Sequence, residues 1–127
     1  MHGVNVGETG TMEQVTRDNI SYLAGLFDGE GTVTCKKYWS KKPKGTYNCW
    51  RISMEIAMTD KPTVKWCCDH FGGNLREKPR KGGHKMQYRW RRGFRDAYRI
   101  ARMIYPFAVT KRSDLEKIIK RYEKMDV

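Results

Sequence analysis

Glu30 is the residue of this 127-residue sequence best placed to do chemistry. It closes the run Leu23-Ala24-Gly25-Leu26-Phe27-Asp28-Gly29-Glu30, followed by Gly31, in which Gly25 and Gly29 lie four residues apart. Residues at that spacing share one side of a helix, so this helix has a side without bulk, widened by the small Ala24. Two such helices can lie backbone against backbone. The run occurs once in the chain, so a second helix has to come from another copy, with Leu23, Ala24, Gly25 and Leu26 as the expected interface. The last turn then sets Glu30 beside its symmetry mate. Two carboxylates at helix C-termini, where the dipole is already negative, repel each other unless a cation lies between them. Mg²⁺ takes one or two carboxylates together with water and phosphate oxygens, which suits phosphodiester hydrolysis. The plainer alternative is that Glu30 ends a surface helix and the small residues pack within a monomer.

A second group of residues could hold the phosphodiester. In 48–58, Trp50, Ile52, Met54, Ile56 and Met58 alternate with Arg51, Ser53, Glu55 and Ala57, a strand pattern. In 32–39, Val33, Cys35 and Trp39 oppose Thr32, Thr34, Lys36 and Tyr38; in 85–92, Met86, Tyr88 and Trp90 oppose Gln87, Arg89 and Arg91. Residues 74–80 are a weaker strand, with Arg76, Lys78 and Arg80 on one parity and Pro79 suggesting an edge or an end. If helices cover the apolar face, the open face collects Thr32, Thr34, Lys36, Tyr38, Arg51, Ser53, Glu55, Arg76, Lys78, Arg80, Gln87, Arg89 and Arg91. Like charges directly opposite one another destabilise a sheet, so a face with one acid among so many cations calls for a polyanion. Arg and Gln read guanine and adenine edges in the major groove, which admits a two-stranded antiparallel ribbon. Sheet-based RNA binders put aromatics on the open face. Here Trp50, Tyr88 and Trp90 fall on the other parity, with Tyr38 the exception, which favours double-stranded DNA.

The elements that must position these residues follow from punctuation. Thr16 or Asp18 caps a helix through Ile20, Leu23, Leu26 and Phe27, ended by Gly29 and Gly31. Thr59-Asp60-Lys61-Pro62 opens a helix through Val64, Trp66, Cys67 and Phe71, stopped by Gly72-Gly73. A third helix spans about 94–105 and is closed by Pro106; a fourth starts at Ser113, where Ser113-Asp114-Leu115-Glu116 fits a capping box, and runs to about Met125. The order α-β-β-α-β-β-α-α predicts an α+β fold, an antiparallel four-stranded sheet with helices on one face. Residues 1–15 are polar, glycine-bearing and without period, so a disordered leader is expected before a single domain over 16–127.

Composition narrows the function classes. Twenty-six Lys and Arg against fourteen Asp and Glu leave a net charge of +12, the balance of a protein that meets a polyanion. An anionic membrane surface would favour the charge on an amphipathic helix rather than on strands, and no stretch approaches the roughly 20 apolar residues of a membrane span. Cys35, Cys49, Cys67 and Cys68 form no disulfide framework, and no secretory signal precedes them, so reduced thiols in an intracellular protein are expected. A zinc site from Cys67, Cys68 and His70 lacks a C-x-x-C pair and a second half.

The run Leu23–Gly31 resembles the LAGLIDADG motif of homing endonucleases, agreeing at six of nine positions, with Phe27, Gly29 and Glu30 as its local variants. The surrounding element order is similar to one family repeat over about residues 17–125. The resemblance implies a single-motif, homodimeric type, with a saddle of two four-stranded sheets. It also implies that Glu30 and the Gly29 carbonyl bind Mg²⁺, for which Ca²⁺ or Mn²⁺ can substitute. Asp28 corresponds to the motif's other acid, a structural one. Asp60, at the end of the second strand, and Lys111, after the proline that closes the third helix, fall where the family places residues near the scissile phosphate. The implied activity is site-specific hydrolysis of a long, roughly palindromic duplex, both strands being cut to leave 3′ overhangs, by a protein encoded within an intron. The alternative on the same scaffold is a non-cleaving nucleic-acid binder, an intron RNA maturase or a DNA-binding regulator. Asp60 as a mere helix cap and Lys111 as a mere phosphate contact are the simpler roles for those two residues.

Overall fold

The computed structural model describes residues 15–125. The leader expected over 1–15 lies outside them except for Val15, which is buried in the core. The elements are α1 (Arg17–Glu30), β1 (Gly31–Lys42), β2 (Gly45–Met58), α2 (Lys61–Phe71), β3 (Arg76–Lys78), β4 (Gln87–Gly93), α3 (Phe94–Ile104), a 3₁₀ turn (Tyr105–Phe107) and α4 (Arg112–Met125). The strands form one antiparallel four-stranded sheet in the order β1-β2-β4-β3.

Alternation decides which side of the sheet is covered. Ile52, Met54 and Ile56 of β2 and Trp90 of β4 are fully buried on the side where all four helices pack. α3 presses Ala97, Ile100, Ala101 and Ile104 into this layer, and α4 adds Leu115 and Ile118. Trp90 anchors it: its Nε1 donates to the Gly72 carbonyl at 2.8 Å, which satisfies its buried polar atom, and the Phe71 ring meets it edge-on.

Local chemistry sets the ends of α1. The Thr16 side chain accepts a hydrogen bond from the Asn19 amide at 3.2 Å, the expected cap. The helix continues through Gly29 to Glu30, and the Gly31 amide closes it on the Phe27 carbonyl. A Cβ at Gly31 would collide with the Phe27 ring, so only glycine fits where helix becomes strand.

Several boundaries differ from the sequence expectation. The β1–β2 hairpin is longer than 32–39 and 48–58, because its distal half pairs through backbone hydrogen bonds with both sides in solvent and carries no apolar alternation. β3 covers three residues and ends at Lys78, before Pro79, which has no amide to donate. Arg80 therefore lies outside the strand, its Nε donating to the Lys85 carbonyl at 3.0 Å, and Met86 precedes β4 rather than lying in it. The capping box at Ser113 does not form: α4 starts at Arg112, with the Leu115 amide on the Lys111 carbonyl at 2.9 Å, which puts Ser113 inside the first turn. Among the described residues, no helix is long and apolar enough to cross a membrane.

Candidate active site and nucleic-acid interface

The outward side of α1 is bare. A Cβ at Gly25 or Gly29 would meet nothing within 4 Å, and both residues are exposed, as is Glu30. Leu23 and Ala24 are not available to a partner: both are fully buried in the chain's own core, because their turn of the helix faces the sheet. Of the four expected interface residues, Gly25 and the half-buried Leu26 keep accessible surface. Tyr22 joins them, 53% exposed and braced edge-on by Trp66 at 4.7 Å. Its position three residues before Gly25 was the available signal for it.

The two acids of the motif have different surroundings. The Asp28 carboxylate accepts from the Val109 amide at 2.8 Å and from the Lys111 amide at 2.9 Å. Partial burial opposes its ionisation, but amide hydrogen bonds from Lys111, Val109 and Thr110 and the nearby Lys111 charge outweigh that and hold its pKa below the ordinary carboxylate value. Asp28 thereby straps the segment before α4 to the end of α1, and the backbone of Lys111 is fixed two residues from Glu30 along the helix. Glu30 makes no hydrogen bond or ion pair among the described residues. Gly29 belongs to the last helical turn, whose carbonyls have no partner within the helix.

Asp60 stands at the N-terminus of α2, exposed. Its carboxylate accepts from the Thr63 hydroxyl rather than from a helix amide. Gly31 pairs with Ile56, so β2 leaves the sheet at the same end where α1 enters it, and Asp60 emerges at that end too. No three His, Cys, Asp or Glu side chains cluster closely enough to hold a metal among the described residues. Glu30 is thus a lone carboxylate beside the carbonyl oxygens of a helix end, hard oxygen donors of the type Mg²⁺ takes.

The register assembles the open face as expected, but Ser53 within it is buried among its neighbours and offers a partner no surface. Thr32 pairs with Glu55, Thr34 with Ser53, Lys36 with Arg51, Glu55 with Arg91, Arg76 with Arg89 and Lys78 with Gln87. Two of these, Lys36 with Arg51 and Arg76 with Arg89, put like charges directly opposite, an unfavourable arrangement without a counter-charge. Glu55 supplies part of it from the middle of the sheet, with Arg91 at 3.4 Å, Arg89 at 3.8 Å and Lys78 at 3.9 Å. Arg51 lies over the Tyr38 ring at 5.0 Å. Ser40 and Tyr47 extend the face along the unexpected distal half of the hairpin. Arg80 does not share it as a strand residue; it stands in the connection to β4.

Compared with solved structures, the fold has clear relatives. The homing endonuclease I-CvuI, in complex with the I-CreI target in the presence of Mg, aligns with a TM-score of 0.69 at 13% identity, over 87% of this chain and 69% of that one. The archaeal intron-encoded homing endonuclease I-Vdi141I, complexed with DNA, gives 0.68 at 14%, over 86% and 69%. The homing endonuclease I-TnaI gives 0.60 at 18%, over 90% and 76%. The chain has the fold of the homing endonucleases. No protein-family model matches it, and no curated protein matches it in sequence. The shared architecture therefore persists where sequence likeness has fallen away, as expected when burial pattern and connectivity, rather than residue identity, define a fold.

Proposed function

We propose that this protein is a single-motif, LAGLIDADG-type homing endonuclease that works as a homodimer on double-stranded DNA with Mg²⁺. One observation carries the reading: the exposed Glu30 ends the bare side of α1, and β1, the first strand of the cationic open face, starts at the next residue. A second copy packed on Gly25 and Gly29 brings its own Glu30 alongside. The two glutamates and the Gly29 carbonyls would hold Mg²⁺, with Ca²⁺ or Mn²⁺ as substitutes. When bound there, such an ion would supply a Lewis acid for a phosphoryl oxygen and a water made more acidic.

The chain's own residues do the rest. The open face holds the duplex through Lys36, Arg51, Arg76, Lys78, Arg89 and Arg91, while Thr32, Thr34 and Gln87 offer groups that read base edges. Lys111, fixed through its amide by Asp28, offers an ammonium to the charge that builds on the phosphate. Asp60 orients the attacking water with its exposed carboxylate. A dimer with two-fold symmetry recognises a long, roughly palindromic site.

The test selects a bound duplex from a randomised library and incubates it with Mg²⁺. Wild-type protein is expected to cut both strands, and Glu30→Gln to bind with unchanged affinity while losing cleavage. Cleavage retained by Glu30→Gln overturns the assignment of Glu30. Wild-type binding without nicking overturns the nuclease in favour of a non-cleaving binder on the same scaffold.

A further inference from the structure

Among the described residues, the side of the sheet turned away from the open face is not covered along its whole length. Lys37 and Trp39 of β1 share this side, Lys37 opposite Trp50 and Trp39 two residues farther out along the hairpin, opposite Asn48. Trp39 is 71% exposed, more than any other large hydrophobic ring in the described chain, and it packs on no other ring or cation there. Two residues back, Lys37 pairs with Trp50 across the hairpin. The Trp50 ring carries the Lys37 ammonium at 5.6 Å and the Arg121 guanidinium at 3.8 Å. Lys117, Lys120, Arg121 and Lys124 line a single groove with Trp50 and Cys35.

Acids compensate only part of this charge. Asp114 lies 3.6 Å from Lys117 and Glu116 2.5 Å from Lys120, whereas Lys37, Arg121 and Lys124 make no ion pair among the described residues. Cations set beside a free indole face make the surface used for unpaired nucleotides. Bases stack on the aromatic ring and phosphates follow the positive groove. A duplex is too stiff to serve here together with the open face, since its persistence length of about 150 base pairs keeps it on one side of so small a sheet. The open face has rings too, but Tyr38 lies under Arg51 at 5.0 Å and Tyr47 under Lys42 at 5.8 Å, which leaves neither as bare as Trp39.

We propose that the back of the β1–β2 hairpin and the adjoining groove of α4 form a second nucleic-acid surface, specific for a single strand. Trp39 is its stacking platform, and Lys37, Arg121 and Lys124 track the phosphates. The inference stands apart from the nuclease reading, because it needs neither Glu30, a dimer nor a metal.

The test measures fluorescence anisotropy of a labelled oligouridylate of about 16 nucleotides, a length that spans a typical single-strand site, beside a mixed duplex of equal length. Trp39→Ala is expected to weaken oligouridylate binding about tenfold, as loss of one stacked base predicts, and to leave duplex binding within about twofold. Trp39→Phe is expected to restore most of the loss, because the phenyl ring keeps a stacking face. Lys124→Gln combined with Arg121→Gln acts in the same direction and flattens the salt dependence of single-strand binding. Arg51→Gln with Arg91→Gln is expected to weaken duplex binding and spare the oligouridylate. Since Trp39 is mostly in solvent, its replacement leaves the fold intact and decides the matter by itself. Unchanged oligouridylate binding by Trp39→Ala, or an equal loss for both ligands, overturns the proposal.

Discussion

On the inward side of α1, Leu23, Ala24 and Phe27 are fully buried, while on its outward side Gly25 and Gly29 would admit a Cβ with nothing within 4 Å. The two sides interleave at helical spacing within one nine-residue run, yet they answer to different demands. The inward side is complete: its surface is consumed by contact with the chain's own core. The outward side has backbone exposed where most surface helices carry side chains, at a cost in helix propensity of roughly 1 kcal/mol for each glycine. Expensive positions that do nothing for the monomer point to a contact made elsewhere. Asp28 and Glu30 repeat the contrast at the helix end, one carboxylate fully engaged and the other unengaged.

The sharpest way to break the comparison is Gly25→Leu. If the outward side meets its mate at backbone distance, each added side chain costs about 1–3 kcal/mol and two-fold symmetry doubles it. Dimer affinity in sedimentation equilibrium should then fall by about a hundredfold or more, with cleavage, while the melting temperature of the isolated chain does not fall. A dimer indifferent to Gly25→Leu removes the outward side from the interface.

Leu23→Ala probes the other side. It should lower unfolding free energy by about 2–5 kcal/mol in urea titrations through cavity formation, an effect set by the chain's own core. If it shifted dimerisation without lowering the stability of the chain, the division between the sides would fail.

Asp28→Asn should cost about 1–3 kcal/mol, because the Val109 and Lys111 amides donate to different carboxylate oxygens and the single carboxamide oxygen can accept from only one of them, leaving the other facing a donor. The sign of its pH dependence follows from the depressed pKa. The contribution is complete above the unfolded carboxylate's value near 3.8 and is lost as pH falls through the lower folded value. Acid unfolding curves of wild type and Asp28→Asn should therefore converge at low pH and separate above it.

Gly25→Ala is the smallest change expected. In an exposed helix interior it should raise monomer stability by up to about 1 kcal/mol, measured by thermal melting, while weakening the dimer. Stability that does not rise would mean that Gly25 has a backbone reason to be glycine within the monomer.

Much of this was legible along the chain. The parity of Arg51, Ser53 and Glu55 against Ile52, Met54 and Ile56 needs only the two-residue period of a strand, and the register keeps every one of them on its expected face. Thr16 and Gly31 work through contacts within a few residues, so the limits of α1 could be read locally. The distal hairpin could not, because Ser40 to Tyr47 pairs through main-chain groups that no side-chain pattern announces. Nor could the fate of Ser113, where the strap from Asp28 draws the chain so that the helix begins at Arg112.

By itself, then, the order of residues determined the alternating faces, the helix punctuation, the cationic balance and a lone acid at the end of a helix with small residues. These depend on short periods and on composition, which the chain carries wherever it goes. Only the tertiary structure decided which side of α1 is spent on the core, and that Asp28 holds the segment of Lys111, 83 residues away along the chain. It also left Trp39 bare on the back of the hairpin, two residues beyond Lys37, while Arg121 of α4 covers Trp50. Such pairings join residues whose separation in sequence bears no relation to their separation in space, and packing alone chooses among them.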